Sequence, residues 1–567
     1  MGCGLPYNRA GNRQRKKVAS VHKQWSDVNA IYQIYPRSFQ DSNADGVGDL
    51  RGAIARLAYL KGESDSLGVD AIWFSPFFPS PMADFGYDVS DYCNIHPLFG
   101  TLDDFTELLS KAHDRDIKVM IDFVPNHSSN EHPWFLESKS SKDNPKRDYY
   151  VWADPKPDGS PPNNWLSIFG GSAWELDETT GQYYLHTFLK EQPDLNWDNP
   201  AVRREMQAVV RFWLDLGVDG LRADAVRWIS KDMHRRDDPR NPAFIAGPHA
   251  DEFGSLLHVH SRFGPHLFEY LRDLTDVVAT YDDRIMIFED YPDDIFTTRD
   301  QYLGFYGVNP KVSLPFNFEG IGIPFGAENY RRFITEFQGM LNPSEHTPVY
   351  CFGNHDQQRL VSRIGEEQAR VVALMQMGLP GLPVVYYGDE IGMKNGLIKP
   401  SEIQDPVELR KPGLGQGRDP ERTPMQWDDS TFAGFSTTRP WLPIATGAEK
   451  RNVAQEEKDD DSYLALYRAL LRLRTDYTIF RKGDYETFGE ADANVYVFSR
   501  RLGEEHIFVV LNMSNKRRKF TLPHGGRLLA AAHPSRRVVI AKDGKVKLRP
   551  YEAAIFECAK HPLRKPL

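Results

Sequence analysis

Val202-Arg-Arg-Glu-Met-Gln-Ala-Val-Val-Arg-Phe-Trp-Leu-Asp-Leu-Gly217-Val-Asp-Gly-Leu-Arg222-Ala-Asp224 carries two periodicities in one continuous run. From Val202 to Leu216, the apolar residues Met206, Val209, Val210, Phe212 and Trp213 recur at helical spacing. From Gly217 to Arg222 the run is short, apolar and β-rich, and it ends on charge at Arg222 and Asp224. A helix feeding directly into a buried strand is one unit of an alternating α/β fold.

Working outward, the same kind of short run recurs at Ala30–Tyr35, Val69–Phe74, Lys118–Phe123, Ile285–Glu289, Lys311–Asn317, Pro348–Gly353 and Pro383–Gly388. Helix-like segments such as Asp103–Arg115 lie between most of them. Strands alternating with helices pair in parallel through crossovers. Eight such strands predict a closed (β/α)8 TIM barrel, with an open doubly wound sheet as the competing arrangement. The Asn-, Pro-, Gly-, Trp- and Tyr-rich stretch after Phe123 is too long for a simple loop and predicts a small inserted domain after the third strand. Beyond a helix-like Tyr463–Arg474 the pattern changes. Short strands at Glu486–Arg500, Glu505–Met513, Arg537–Ala541 and Tyr551–Glu557 predict a C-terminal all-β domain, a β-sandwich. The expected division is a basic extension over 1–20, the barrel over 21–125 and 197–480, the insertion over 126–196, and the sandwich over 481–567. Charge-rich Glu449–Asp461 reads as a solvated loop.

The totals exclude several classes of function. With 567 residues the chain is too long for one core. Lys and Arg number 69 against 79 Asp and Glu, a net charge of −10, which argues against nucleic acid as a partner. The four cysteines, Cys3, Cys93, Cys351 and Cys558, form no metal-binding spacing, and so few fit a reducing, cytoplasmic compartment. Met1–Ser20 has no apolar core of a signal peptide, and Pro6 stands where the myristoylation pattern has Ser or Thr. Val371–Gly388 is the longest apolar stretch. Gln376 and two prolines interrupt it, so it reads as a buried helix followed by a strand and not a membrane span.

Polar residues collect where the expected strands stop. Asp122 and His127 follow the third, Arg222 and Asp224 end the fourth, Glu289 ends the fifth, and His355 and Asp356 end the seventh. In a barrel those ends converge on one face. Any one of them alone is a surface carboxylate or a satisfied core histidine; all of them at corresponding ends is a site.

Four blocks, Asp122-Phe-Val-Pro-Asn-His127, Gly220-Leu-Arg-Ala-Asp-Ala225, Ile287-Phe-Glu-Asp290 and Phe352-Gly-Asn-His-Asp356, stand in order. With Gln192-Pro-Asp-Leu-Asn-Trp197 and Arg422-Thr-Pro-Met-Gln-Trp-Asp428, the chain resembles the α-amylase superfamily of glycoside hydrolases, in its α-glucosidase and oligo-1,6-glucosidase branch. The resemblance runs from about Asn29 to the C-terminus. It implies a retaining, exo-acting α-glucosidase on short oligosaccharides or α-glucosides, with Asp224 as nucleophile and Glu289 as general acid/base. Asp356 matches the third carboxylate, which grips sugar hydroxyls. His127 and His355 match hydroxyl-binding histidines, and Asp122 a support for Arg222. Tyr87 matches a stacking platform for the terminal glucose. Asp84 and Arg418 match a pair that closes the glucose pocket, against the alternative of a plain surface salt bridge. Arg222, two residues before Asp224 on one strand, is expected to keep that carboxylate ionised. Phe288 and Tyr291 flank Glu289 and are expected to raise its pKa if they shield it.

Asp41-Ser-Asn43-Ala-Asp45-Gly46-Val47-Gly-Asp49 places oxygen ligands at alternate positions, with Gly46 for a tight turn and Gly52 where an EF-hand has its Glu. In the resembling enzymes the matching loop holds a structural Ca²⁺ or Mg²⁺. This implies side-chain oxygens from Asp41, Asn43, Asp45 and Asp49 and the Val47 carbonyl. The glycine-rich Gly413–Gly417 joins no strand to a helix and reads as a loop that carries Arg418, not a phosphate loop. Ala225, the small residue after the nucleophile, points to α-1,4 linkages, as in a maltase. α-1,6 hydrolysis, sucrose hydrolysis or isomerisation, and transglucosylation use the same carboxylates and stay open, as does the choice of monomer or homodimer. A non-catalytic carbohydrate-binding or transporter-associated relative is disfavoured, because the three carboxylates are kept and no membrane anchor is present.

Overall fold

The computed structural model describes residues 23–558 apart from 63–64, 292–295, 297, 489–491, 524, 537 and 542. The expected extension over 1–20 lies outside the described residues.

The helix of the opening segment spans Pro200–Leu216. Asn199 caps it by accepting from the Ala201 N–H at 2.9 Å, and Pro200 supplies a preset first turn. Val202, Met206, Val209, Val210, Trp213 and Leu214 form its buried face. Gly217 ends it at φ 116°, a left-handed conformation that other residues enter at a cost. The chain then enters Gly220–Ala223, buried at every position as a strand with both faces covered must be.

Eight parallel strands close into a barrel: Ile31–Ile34, Ala71–Phe74, Lys118–Phe123, Gly220–Ala223, Ile285–Phe288, Ser313–Asn317, Val349–Cys351 and Leu382–Tyr386. Closure comes from the first and last, with Ile31 opposite Val384. The interior is packed by Ile31, Trp73, Met120, Ile287, Phe316 and Val384, among others. Alternate residues point outward into a second, larger core under the ring of helices. The stretch Val371–Gly388 is a buried helix, Glu366–Gly378, followed by the eighth strand. No described helix is long and apolar enough to cross a membrane.

Between the third and fourth barrel strands lies a three-stranded antiparallel sheet of Trp152–Ala153, Gln182–Leu185 and Trp174–Asp177, in that spatial order. The C-terminal region is all-β. Asp484–Thr487, Val495–Leu502, Glu505–Asn512, Ala553–Glu557 and Arg527–Ala531 form one antiparallel sheet, and Arg518–Thr521 pairs with Lys545–Leu548 in another. Val495 and Val497 face the small core between these sheets, while Tyr496 and Phe498 face the barrel side. Strict alternation thus gives one strand two buried faces.

Three expectations need correction. Glu486–Arg500 is not one strand but parts of two. Arg537–Ala541 is no strand; Ile540 makes only an isolated bridge to Val546, and Arg537 lies outside the described residues. The strand in that region is Lys545–Leu548, where two lysines alternate with buried Val546 and Leu548. Glu449–Asp461 is not wholly a loop. It includes a helical turn, Val453–Glu456, capped by fully buried Asn452.

Two buried arginines satisfy backbone carbonyls at the edge of the barrel, and the second of them comes from the C-terminal sheet. Arg474 donates to the carbonyls of Asn29, Met377, Leu379 and Gly381. Arg500 donates to those of Gly378, Phe480, Gly483 and Asp484. Removing such a donor leaves buried carbonyls without partners. Arg500→Ala is therefore expected to cost about 2–4 kcal/mol. Thermal unfolding should show a lowered midpoint, with the exposed neighbour Arg501→Ala near wild type.

Candidate active site

At the C-terminal ends of the barrel strands the polar residues meet. Arg222 is 1 % exposed and serves three carboxylates. Its Nη1 donates to Asp122 Oδ2 and Asp224 Oδ1, both at 2.7 Å, and its Nη2 lies 2.7 Å from Glu289 Oε1. Strand pairing explains the meeting. Asp122 lies opposite Arg222 across the third and fourth strands, and Arg222 opposite Ile287 across the fourth and fifth. Asp224 and Glu289 follow their strands by one residue. The Ala225 N–H donates to Glu289 Oε2 at 2.8 Å, which fixes that carboxylate from the next loop. Ala225 makes this bond at φ 49°, a strained conformation for a residue with a Cβ.

Burial pushes the Asp224 carboxyl well above the usual carboxylate range, with the adjacent Glu289 charge adding to the effect and Arg222 opposing it. Arg222 thus pulls Asp224 toward the ionised form, as expected, but against a larger opposing effect of burial. One guanidinium among three carboxylates leaves excess negative charge, which adds to burial in disfavouring the ionised form of Asp224. Burial likewise raises Asp122 to about 6. Tyr291 lines the same cavity as Glu289, but Phe288 does not shield it. As the preceding residue on a strand, Phe288 points outward and packs on Phe305 at 5.6 Å between ring centroids.

His355 lies between two rings, stacked on Tyr87 at 5.7 Å and Tyr35 at 5.8 Å. Its Nε2 meets the Tyr87 hydroxyl at 2.6 Å, and its Nδ1 meets Gln33 Nε2 at 2.8 Å. Burial drives its pKa far down, so the ring is neutral. Burial also opposes ionisation of Asp356, yet the Asp356 pKa falls below the usual range. His355, with Nε2 3.3 Å from Asp356 Oδ2, and then the arginines carry that effect. Arg422 Nη2 donates to Asp356 Oδ1 at 2.8 Å, and Arg418 Nη1 approaches it at 3.4 Å. The Tyr87 hydroxyl also donates to Asp122 Oδ2 at 2.8 Å, which links the two halves of the site.

Arg418 Nη2 donates to Asp84 Oδ1 at 2.7 Å. This is no surface salt bridge, because Asp84 is 3 % exposed and the Arg418 side chain 11 %. Burial raises the Asp84 pKa against the pull of Arg418. Burial also pushes His127 down to about 4, so it too is neutral near neutral pH.

These side chains surround a cavity of about 300 Å³. Asp84, Tyr87, His127, Asp224, Glu289, Asp356 and Arg418 line it directly. Arg222, Asp122 and His355 stand behind that lining and act through it. Sequence reasoning missed several participants. Asp405 holds Arg418 by contacts of 2.6 to 3.2 Å. Gln192 bridges Asp84 at 3.3 Å and His127 at 3.1 Å. Arg422 and Gln192 stand inside the quoted blocks, so a signal was there to read; Asp405 stands in none. Phe169, Phe188, Trp228 and Val407 supply apolar walls.

The loop 41–49 lies apart from this cavity. Asp41 Oδ1 accepts from the N–H groups of Asn43 and Ala44, and Oδ2 from that of Gly46. Asn43 Oδ1 accepts from Asp45 N–H, and Asp45 Oδ1 from Val47 N–H. Asp49 caps the helix Leu50–Leu60 through Gly52 N–H at 2.7 Å. Gly46 is at φ 89° with the Arg439 carbonyl 2.4 Å from where a Cβ would sit, so only glycine fits. Among the described residues no group of three or more His, Cys, Asp or Glu converges as a metal site. The donor set is oxygen only; Asn43, Asp45 and Asp49 keep lone pairs beyond these bonds, whereas Asp41 accepts four hydrogen bonds, the fourth from Ser436 Oγ.

The alpha-amylase catalytic-domain model matches residues 33–483. An oligo-1,6-glucosidase of Heyndrickxia coagulans is 39 % identical, covering 94 % of this chain and 99 % of that one. An alpha-glucosidase of Apis mellifera is 39 % identical over 86 % of this chain and 85 % of its own. Among solved structures, an alpha-glucosyl transfer enzyme superposes with a TM-score of 0.87 at 37 % identity, covering 94 % of this chain and 99 % of its own. The trehalulose synthase MutB of Pseudomonas mesoacidophila superposes at 0.84 with 35 % identity, over 94 % and 99 %. Family model, relatives and barrel together place the chain in the alpha-amylase family of glycoside hydrolases, as an enzyme of its glucosidase branch.

Proposed function

We propose that the enzyme is a retaining exo-α-glucosidase that releases terminal glucose from short α-1,4-linked oligosaccharides through a covalent glucosyl-Asp224 intermediate. One observation carries this reading. Asp224 Oδ1 and Glu289 Oε1 each lie 2.7 Å from a nitrogen of the same guanidinium, which holds the two carboxyl groups close together. Close spacing favours a retaining pair over an inverting one, whose carboxyls stand further apart. Glu289 protonates the glycosidic oxygen as Asp224 attacks the anomeric carbon. Glu289 then takes a proton from the water that releases the sugar. Asp356, held ionised, accepts hydrogen bonds from sugar hydroxyls. Neutral His127 flanks the same ring, Tyr87 stacks beside it, and neutral His355 supports Tyr87 from behind. Arg418 and Asp84 close the pocket end, which restricts attack to chain termini.

The linkage rests on Ala225, whose small side chain lines the cavity beside Asp224. A second reading, α-1,6 hydrolysis, is favoured by relatives that bear the name oligo-1,6-glucosidase. Purified enzyme given maltose, isomaltose and sucrose separates them. Rapid glucose from maltose with little from isomaltose is expected. Faster isomaltose turnover refutes the α-1,4 reading, and mostly new oligosaccharides would point to transfer.

We also propose that the loop 41–49 takes Ca²⁺ or Mg²⁺ structurally, through Asp41, Asn43, Asp45, the Val47 carbonyl and Asp49. Such an ion would neutralise the loop and stabilise the turn; no catalytic step involves it. Millimolar Ca²⁺ should raise the unfolding midpoint by about 1–3 kcal/mol of stabilisation, as mass action gives for 10–100 Kd. Asp45→Ala, which leaves the Asp49 helix cap in place, should abolish that gain. An equal gain in the variant would count against the site.

Asp224→Ala should lose nearly all turnover. Glu289→Gln should lose about 10²–10⁴-fold on maltose, yet far less on 4-nitrophenyl α-glucoside, whose leaving group needs no proton. Asp224 must be ionised to attack, so activity falls as pH drops through its pKa. That pKa is raised by burial and the Glu289 charge. Removing the charge in Glu289→Gln should therefore move the acidic limb of kcat/KM on the nitrophenyl substrate to lower pH. An unmoved limb would separate the two carboxylates.

A further inference from the structure

A second cleft opens where the insertion meets the barrel, on the far side of one wall of the catalytic cavity. His127 lines that cavity, and its Nδ1 meets Asn126 Nδ2 at 3.1 Å. Lys231 donates to Asn126 Oδ1 at 3.2 Å and pairs with Asp194 Oδ2 at 2.8 Å. Lys231 also lines the second cleft, so these side chains form the partition between the two spaces. The cleft encloses about 180 Å³, against about 300 Å³ for the catalytic cavity. Trp152 and Trp165 of the insertion, with Trp197 just beyond it, supply its apolar walls.

Arg235 is what sets this cleft apart. Its backbone stands at φ 52°, a left-handed conformation that is strained for a residue with a Cβ. Its half-buried side chain lines the cleft, yet among the described residues its guanidinium makes no hydrogen bond and no ion pair. Burial lowers its pKa against the pull of Asp154 and Asp198. The Asp148 carboxylate, also in the lining, has no such partner either, and that of Asp198 accepts only from the Tyr270 hydroxyl. A half-buried guanidinium without an acceptor carries a desolvation cost that a bound ligand recovers.

The charge of the lining selects the class of ligand. Lys231 is committed to Asp194, and Asp232 to Arg236 at 2.9 Å. Two carboxylates and one guanidinium remain. An anion would meet an excess of negative charge, and a cation would meet Arg235. A neutral polyhydroxylated ring satisfies both kinds of group, since its hydroxyls donate to Asp148 and Asp198 and accept from Arg235. Its C–H surface suits the tryptophan walls. We propose that this cleft is a second, non-catalytic binding site for a single neutral hexose, with glucose, the product released across the partition, as its ligand. The choice of glucose rests on the α-glucosidase reading; the site itself does not.

Saturation-transfer NMR of glucose on the full-length enzyme, with the catalytic cavity filled by 1-deoxynojirimycin at a concentration that stops turnover, isolates the cleft. Wild type should keep a glucose signal with a Kd on the order of 1–10 mM. Arg235→Ala and Asp148→Ala should each weaken that binding by about ten-fold. Without the inhibitor, both should turn over maltose with kcat and KM within about two-fold of wild type, which also reports that they fold. Loss of all glucose signal once the cavity is filled overturns the site, and so does residual binding that neither variant weakens. Inorganic phosphate that displaces the residual glucose at lower concentration than methyl α-glucoside does overturns the assignment to a neutral sugar. If wild type releases no glucose from maltose, the α-glucosidase reading fails, while the dependence of the signal on Arg235 still decides whether the cleft holds a sugar.

Discussion

A single buried positive charge organises the site. Arg222 is removed from water, and its guanidinium is held by Asp122, Asp224 and Glu289. A buried cation is tolerable only when paired and hydrogen-bonded. The converse also holds: three carboxylates could not be gathered at one depth without it. The barrel provides the means, since parallel register puts Asp122 beside Arg222 and brings the end of the fifth strand alongside. Burial, with the excess of negative over positive charge, is what raises the Asp224 pKa there. An acid/base residue and a nucleophile need that arrangement.

A second charge system, built the same way, frames the sugar pocket. Arg418 and Arg422 together keep Asp356 ionised while burial keeps His355 neutral. The two systems meet at the Tyr87 hydroxyl, which touches both Asp122 and His355. Asp224 and Asp356 are thus driven in opposite directions: burial and neighbouring carboxylates raise the first, while His355 and the arginines lower the second. Environment, not residue type, separates their behaviour.

Much of this was legible before any coordinates. The eight strands, the long insertion and the change of pattern after the last barrel helix all follow from local periodicity and turn chemistry, which act over short distances. The strand-end residues followed, because a barrel fixes where strand ends go. What stayed hidden depends on contacts across hundreds of residues, or on partial burial. Asp405 carries no periodic signal and matters only because Arg418 folds back onto it. Phe288 read as a shield for Glu289, though strand alternation turns it away. The short strand Lys545–Leu548 was missed because half of its residues are exposed lysines. The direction of the Asp224 pKa could not be foreseen from Arg222 alone, since it depends first on burial and then on the carboxylates that share that arginine.

The paired arginines at the barrel's edge bear on where this molecule is divisible. The family model ends at residue 483, close to where the last helix of the barrel gives way to strands. Yet Arg500, beyond that limit, satisfies the Gly378 carbonyl, at the end of the helix that precedes the eighth strand. Tyr496 and Phe498 are packed into the barrel's outer core. A border drawn by shared ancestry therefore cuts through a unit of cooperative folding. Grafting this barrel onto another C-terminal module would require that module to bring its own guanidinium to the same carbonyls.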